Sequence, residues 1–231
     1  MSAPFALRLG AVAGWVGFVG ITLGFIAIPM ALAGQPPTMA TDLPAAMAYF
    51  RHPEFALING VLGVFVGVVA ILPFGIALRA VLLDASDERT RTFADLGLAV
   101  LVVAAPVYLI SGSLGATLVQ AADGDPGLFA ILFRWYEVLY NGGADVLEGA
   151  WIGAFSLAML GASVPRWLAW LGIAVGFSRC VKAFAPFTSV PAAVELISGV
   201  LFLAWFLATV ILLTRIAFAP RRLAVPGAVA A

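Results

Sequence analysis

Residues 93–121 read FADLGLAVLVVAAPVYLISGSLGATLVQA, an apolar run broken by a single charge, Asp95, near its start. A helix needs about 20 mostly apolar residues to cross the ~30 Å hydrocarbon layer of a bilayer. This stretch exceeds that length and lacks the polar face that a soluble helix shows to water. It therefore reads as a membrane-spanning helix, and the rest of the chain repeats the pattern. Further apolar segments lie at Leu9–Ala33, Phe55–Leu83, within Leu128–Leu160, at Pro165–Phe184 and at Pro191–Phe218. The expected fold is all-α: a polytopic membrane protein with a single domain over 1–231, a bundle of six transmembrane helices.

Composition agrees. Of 231 residues, 63% are hydrophobic and 10% charged, against roughly 45–50% and 25% in soluble domains. Such a chain cannot cover itself with polar surface in water. Twelve basic and twelve acidic residues cancel, and no basic tract exists to bind nucleic acid. One cysteine and one histidine exclude a disulfide framework within the chain, a multi-cysteine metal site and a His-cluster site. Neither a metal nor a cofactor is expected. The first segment is longer than the apolar region of a signal peptide, so it reads as a retained helix.

Arginines set the orientation. Arg8, Arg79, Arg89, Arg91, Arg166, Arg215, Arg221 and Arg222 fall on one side of the six-span arrangement, while the loops of the other side carry Arg51. Basic loops stay in the cytoplasm, so both termini are expected there, in the cytoplasmic (inner) membrane of a bacterium. Between the first two spans, Pro44–Phe50 reads as a short interfacial helix. Asp95 reads as the cap of the third span. Trp135, Tyr136, Tyr140, Trp167 and Trp170 read as interface aromatics.

The fourth segment carries the unusual chemistry. Arg134, Glu137, Asn141, Asp145 and Glu148 recur at spacings of three and four, which places them on one face of a helix. Arg134 and Glu137 are spaced for an ion pair, and Gly142-Gly143 marks a bend or break. Arg179 and Lys182 share a face of the fifth helix, Glu195 opens the sixth, and Asn59 lies early in the second. Under the topology above these groups occupy the outer half of the membrane. A lone charge at the bilayer centre costs at least about 2.5–3.5 kcal/mol, so mutual pairing between helices four, five and six is expected. Three readings are open. The cluster lines an outward-facing polar pocket for a ligand, ion or proton, or it is a structural ion-pair network with 128–141 outside the hydrocarbon, or it is a protein–protein contact site. Functionally these correspond to a transporter-like or small-ligand-binding membrane protein, or to an accessory subunit of a larger membrane complex. An intramembrane enzyme is a third reading; no nucleophile–base set, zinc motif, phosphate loop or dinucleotide motif supports it, and no catalytic residue is assigned.

Small residues four apart occur at Gly10/Gly14, Gly20/Gly24, Gly63/Gly67, Gly149/Gly153 and Gly172/Gly176. Such faces let helix backbones approach closely, within the chain or against a membrane-protein partner or second copy. The hairpin from Gly149-Ala150-Trp151-Ile152-Gly153 through Ser163-Val164-Pro165-Arg166 to Leu171-Gly172 resembles a bacterial membrane family catalogued as domain of unknown function 4386. That resemblance implies six helices with a hairpin between the fourth and fifth. It implies no activity, because the family has none established.

Overall fold

The computed structural model describes residues 3–34, 36–38, 41–54, 67–83, 87–184 and 192–219. Every regular element among them is helical. The helices are α1 (Ala3–Ile21), α2 (Ile28–Ala33), α3 (Leu43–Phe50), α4 (Gly67–Leu83), α5 (Glu88–Ala121), α6 (Pro126–Glu137), α7 (Asp145–Gly161), α8 (Arg166–Lys182) and α9 (Ala192–Phe218). Short π-helical turns, Thr22–Ala27 and Val138–Ala144, join α1 to α2 and α6 to α7. Residues Pro126–Gly161 thus form one continuous rod.

Among the described residues, four helices are long and apolar enough to cross a membrane: Pro4–Gly24, Glu88–Ala121, Pro126–Gly161 and Val194–Phe218. Val69–Leu83 is a shorter apolar helix, and α8 has 17 residues. The early part of the second segment, residues 55–66, and the tail arginines Arg221 and Arg222 lie outside the described residues.

Helix α5 starts earlier than the sequence reading placed it. Asp87 accepts hydrogen bonds from the Thr90 amide (2.7 Å) and hydroxyl (2.6 Å), which caps the helix ahead of its charged first turns. Those bonds favour the ionised form and hold the Asp87 carboxyl below its usual range. Asp95, expected as the cap, sits inside the helix and instead pairs with Arg79 of α4 at 2.6 Å.

Six of the nine described arginines, Arg8, Arg79, Arg89, Arg91, Arg166 and Arg215, gather at one end of the bundle. The Arg8 guanidinium lies 5.7 Å from the Phe218 ring centroid, joining the start of α1 to the end of α9. Arg79–Asp95 ties the end of α4 to the start of α5. Gly161, at the end of α7, abuts Thr90 and Asp87, so the tight turn to Arg166 lies there too. A main core runs inward from this end through Phe74, Leu78, Leu101, Phe155, Trp205 and Phe206.

At ~1.5 Å per residue, α5 is about 51 Å long and the Pro126–Gly161 rod about 54 Å. Both exceed a ~30 Å hydrocarbon layer by some 20 Å. At the end away from the Arg79–Asp95 pair, α3 packs against both helices. Ala46, Met47 and Phe50 bury against Leu118, Ala122, Phe129 and Phe133, and the Phe50 ring meets Phe129, Phe133 and Tyr136 edge-on at 5.8–6.1 Å. Burial pushes the Tyr49 hydroxyl up to about 12. A helix is present at residues 43–50, where a short one was expected, and it belongs to a second, aromatic cluster.

The glycine pairs explain how α7 and α8 come together. A Cβ on Gly149 would stand 2.6 Å from the Gly176 carbonyl oxygen, and one on Gly176 would stand 2.8 Å from that of Gly149. Only hydrogen fits at either position. Gly10 meets Ala77 and Pro73 of α4, Gly14 meets Val210 of α9, and Gly172 meets Ser156 and Trp205. These motifs are used in contacts within the chain.

Candidate functional site: a buried chain of charges on three helices

The α7–α8 contact places two polar stripes opposite each other. Glu137, Asn141, Asp145 and Glu148 come from the Pro126–Gly161 rod. Arg179 and Lys182 come from the last turn of α8, where unsatisfied carbonyls favour positive charge. The glycine contact at 149/176 brings the backbones close enough for the side chains to meet one to three turns further along.

The side chains form an unbroken series of polar contacts. The Asn141 amide nitrogen donates to both carboxylate oxygens of Glu137, at 3.1 and 3.0 Å. The Asn141 amide oxygen accepts from Lys182 Nζ at 3.3 Å. Lys182 Nζ lies 2.8 Å from Asp145 Oδ2. Asp145 Oδ1 accepts from Arg179 at 3.1 Å, and Arg179 Nε lies 3.3 Å from Glu148 Oε2. From Glu137 to Glu148 the series spans about 17 Å of helix at ~1.5 Å per residue.

Helix α9 completes the wall. The Arg179 guanidinium carbon sits 4.7 Å from the Phe202 ring centroid, within cation–π range. One turn nearer the start of α9, Ser198 and Ser178 hydroxyls meet at 3.3 Å. Beyond Glu148 the polar series ends on Trp151, whose Nε1 donates to the Tyr108 hydroxyl of α5 at 3.4 Å. Trp151 stacks at a tilt on Trp205, centroids 5.8 Å apart, and both are fully buried.

The cluster is sequestered. The side chains of Asp145, Arg179, Glu148 and Lys182 are 6%, 10%, 14% and 14% exposed, and Glu137 is 3% exposed. Asp145, Glu148, Arg179 and Lys182 are in direct contact, so their charges are paired between helices rather than by solvent.

The π-helical turn Val138–Ala144 holds Asn141 in the middle of the series. Gly142-Gly143, expected to bend or break the helix, instead lie in this wider turn and the rod continues. Single π turns inside α-helices recur at functional positions.

Six of the nine candidate residues are thus brought together: Glu137, Asn141, Asp145, Glu148, Arg179 and Lys182. Arg134 is not among them. It is exposed while Glu137 is buried, and among the described residues no ion pair joins the two. The reason is angular: Glu137 points toward Asn141 and α8, while Arg134 and Trp135 turn to the surface of α6. Glu195 is half-buried in the first turn of α9 and makes no ion pair among the described residues. Asn59 lies outside the described residues.

Sequence reasoning missed Tyr108, Trp151 as a hydrogen-bond donor, and Phe202. Tyr108 is the single tyrosine in the 93–121 run, which is a faint signal. Phe202 is one of many phenylalanines and carried none. Of the aromatic residues assigned to interfaces, Trp135, Trp167 and Trp170 are about 60% exposed, whereas Tyr136 and Tyr140 stack on each other 5.2 Å apart beside the aromatic cluster.

No protein-family model, no curated protein and no solved structure matches the chain.

Proposed function

We propose that this chain is a multi-pass protein of a bacterial cytoplasmic membrane, with six spans and both termini in the cytoplasm. Its α6–α9 cluster is an outward-facing polar site of a transporter-like or small-ligand-binding protein. The observation that carries this reading is the unbroken polar series from Glu137 to Glu148, buried between helices and beginning at the aromatic end. Arginine clustering at the opposite end supports a cytoplasmic assignment for that end. Counting from Gly161 at the basic end, Asp145 stands about 24 Å and Glu137 about 36 Å along the rod. Asp145 and Glu148 then lie in the outer part of the hydrocarbon layer and Glu137 at its outer edge. Ionisable groups at such depths mark ion and solute pathways in membrane proteins. Likeness of the 149–172 hairpin to the family of domain of unknown function 4386 belongs to the same proposal.

A direct test uses the purified chain in vesicles. Lys182→Met and Glu148→Gln are expected to alter ligand-dependent thermal stability or solute uptake without loss of the fold. If both variants match the wild type in every screen, the site is structural. The second reading, an accessory subunit in a larger membrane complex, is favoured by the pairing itself: Arg179 bridges two carboxylates, as a helix clamp would. Stable co-purification with a membrane partner in mild detergent would support it.

A further inference from the structure

We infer that Glu137 is a proton-binding group, taking up the one positive charge that the buried series lacks. This rests on the outward-facing reading above. The series holds three carboxylates, Glu137, Asp145 and Glu148, and two cations, Arg179 and Lys182. Asp145 touches both cations and Glu148 touches Arg179. Glu137 touches neither, and its two oxygens face the amide of Asn141. The charged groups facing it are Lys182 from α8, Glu195 from α9 and Asp145 from its own rod. Lys182 is already engaged with Asp145 and the Asn141 oxygen, and Glu195 adds further negative charge. An uncompensated charge at this burial costs several kcal/mol.

One added positive charge removes that cost. A metal ion requires several ligands around it, and among the described residues no group of three or more His, Cys, Asp or Glu side chains is arranged to hold one. A proton requires a single oxygen. The step is an uptake of H⁺ from the outer aqueous phase by a Glu137 carboxylate oxygen, giving the neutral acid; no other bond changes. Asn141 suits both states, since its amide N–H groups donate to the carboxylate and equally to the carbonyl oxygen of the neutral acid. Lys182, the other partner of Asn141, makes the protonation of Glu137 felt at Asp145 and Arg179.

The test is infrared difference spectroscopy of the chain in lipid vesicles at neutral pH, reading the stretch of protonated carboxyl groups. The wild type is expected to show one buried protonated carboxyl. Glu137→Gln should abolish it, and Glu137→Asp should retain it at a shifted frequency. Lys182→Met leaves three acids facing one base and should raise the band about twofold. A band of wild-type size in Glu137→Gln, with the fold intact by melting, overturns the inference, as does its absence from the wild type. The outcomes separate the two claims. A Glu137-dependent band with no transport or binding in any screen sinks the transporter reading and leaves the proton site. Uptake that depends on Lys182 with no such band does the reverse.

Discussion

Replacing Arg179 by Met removes the centre of the buried series while keeping a similar length of apolar chain. Three contacts go at once: Asp145 Oδ1 at 3.1 Å, Glu148 Oε2 at 3.3 Å and the Phe202 ring at 4.7 Å. Asp145 keeps Lys182 at 2.8 Å. Glu148, 14% exposed, keeps no cation. Removing one partner of a buried ion pair costs about 3–5 kcal/mol, because the other charge is stranded. That is roughly a 10²- to 4 × 10³-fold drop in the folded ratio, at ~1.4 kcal/mol per decade. The assay is reversible unfolding in mixed micelles by a denaturing detergent. A second substitution, Glu148→Gln, removes the stranded charge, so the double variant should be more stable than the sum of the singles by about 0.5–3 kcal/mol, the coupling expected of contacting residues. Arg179→Lys should fall between, because an ammonium cannot fork between two carboxylates. A loss below about 0.5 kcal/mol, the range of featureless surface changes, would refute the reasoning.

Three further outcomes are expected. Gly149→Val should destabilise the α7–α8 contact by at least the 1–3 kcal/mol typical of overpacking, because a Cβ there meets the Gly176 backbone at 2.6 Å; Gly153→Ala, with nothing within 4 Å of the new carbon, should unfold like the wild type in the same assay. Phe50→Ala should loosen α3 from the aromatic cluster, costing about 3 kcal/mol, and limited proteolysis should then cut near residues 43–54 first. The Asp87 cap contributes fully above the ordinary carboxylate value of 3.8 and is lost as pH falls through its lower folded value, so Asp87→Asn should flatten the stability–pH curve in that acidic window alone.

The helical class and the α7–α8 pairing were legible in the sequence because each rests on strong, local patterns. Long apolar runs have one physical solution in lipid. Polar residues at three-and-four spacing on an apolar rod must find partners on another helix, and Arg179 and Lys182 offered the matching spacing. Less legible were features decided by three-dimensional reach. The start of α5 was misplaced because its first turns are charged, and the Asp87–Thr90 cap outweighs that polarity. Arg134 shares the spacing of the polar stripe, yet the stripe turns inward only from Glu137 onward, where α8 is within reach. The glycine pairs pointed to close approach, but only the coordinates assign Gly149 to Gly176 and Gly10 to Ala77. Phe202 enters through its position beneath Arg179, which no spacing within α9 encodes.

In the proposed orientation the polar series begins at the outer face of the membrane and runs inward along the Pro126–Gly161 rod. Single cysteines at 134, 141 and 155, each in a Cys180→Ala background, can be exposed in intact cells to a membrane-impermeant thiol reagent. Position 134 should label rapidly, 141 slowly and 155 not at all. Labelling of 134 only after the cytoplasmic side is opened would contradict the account.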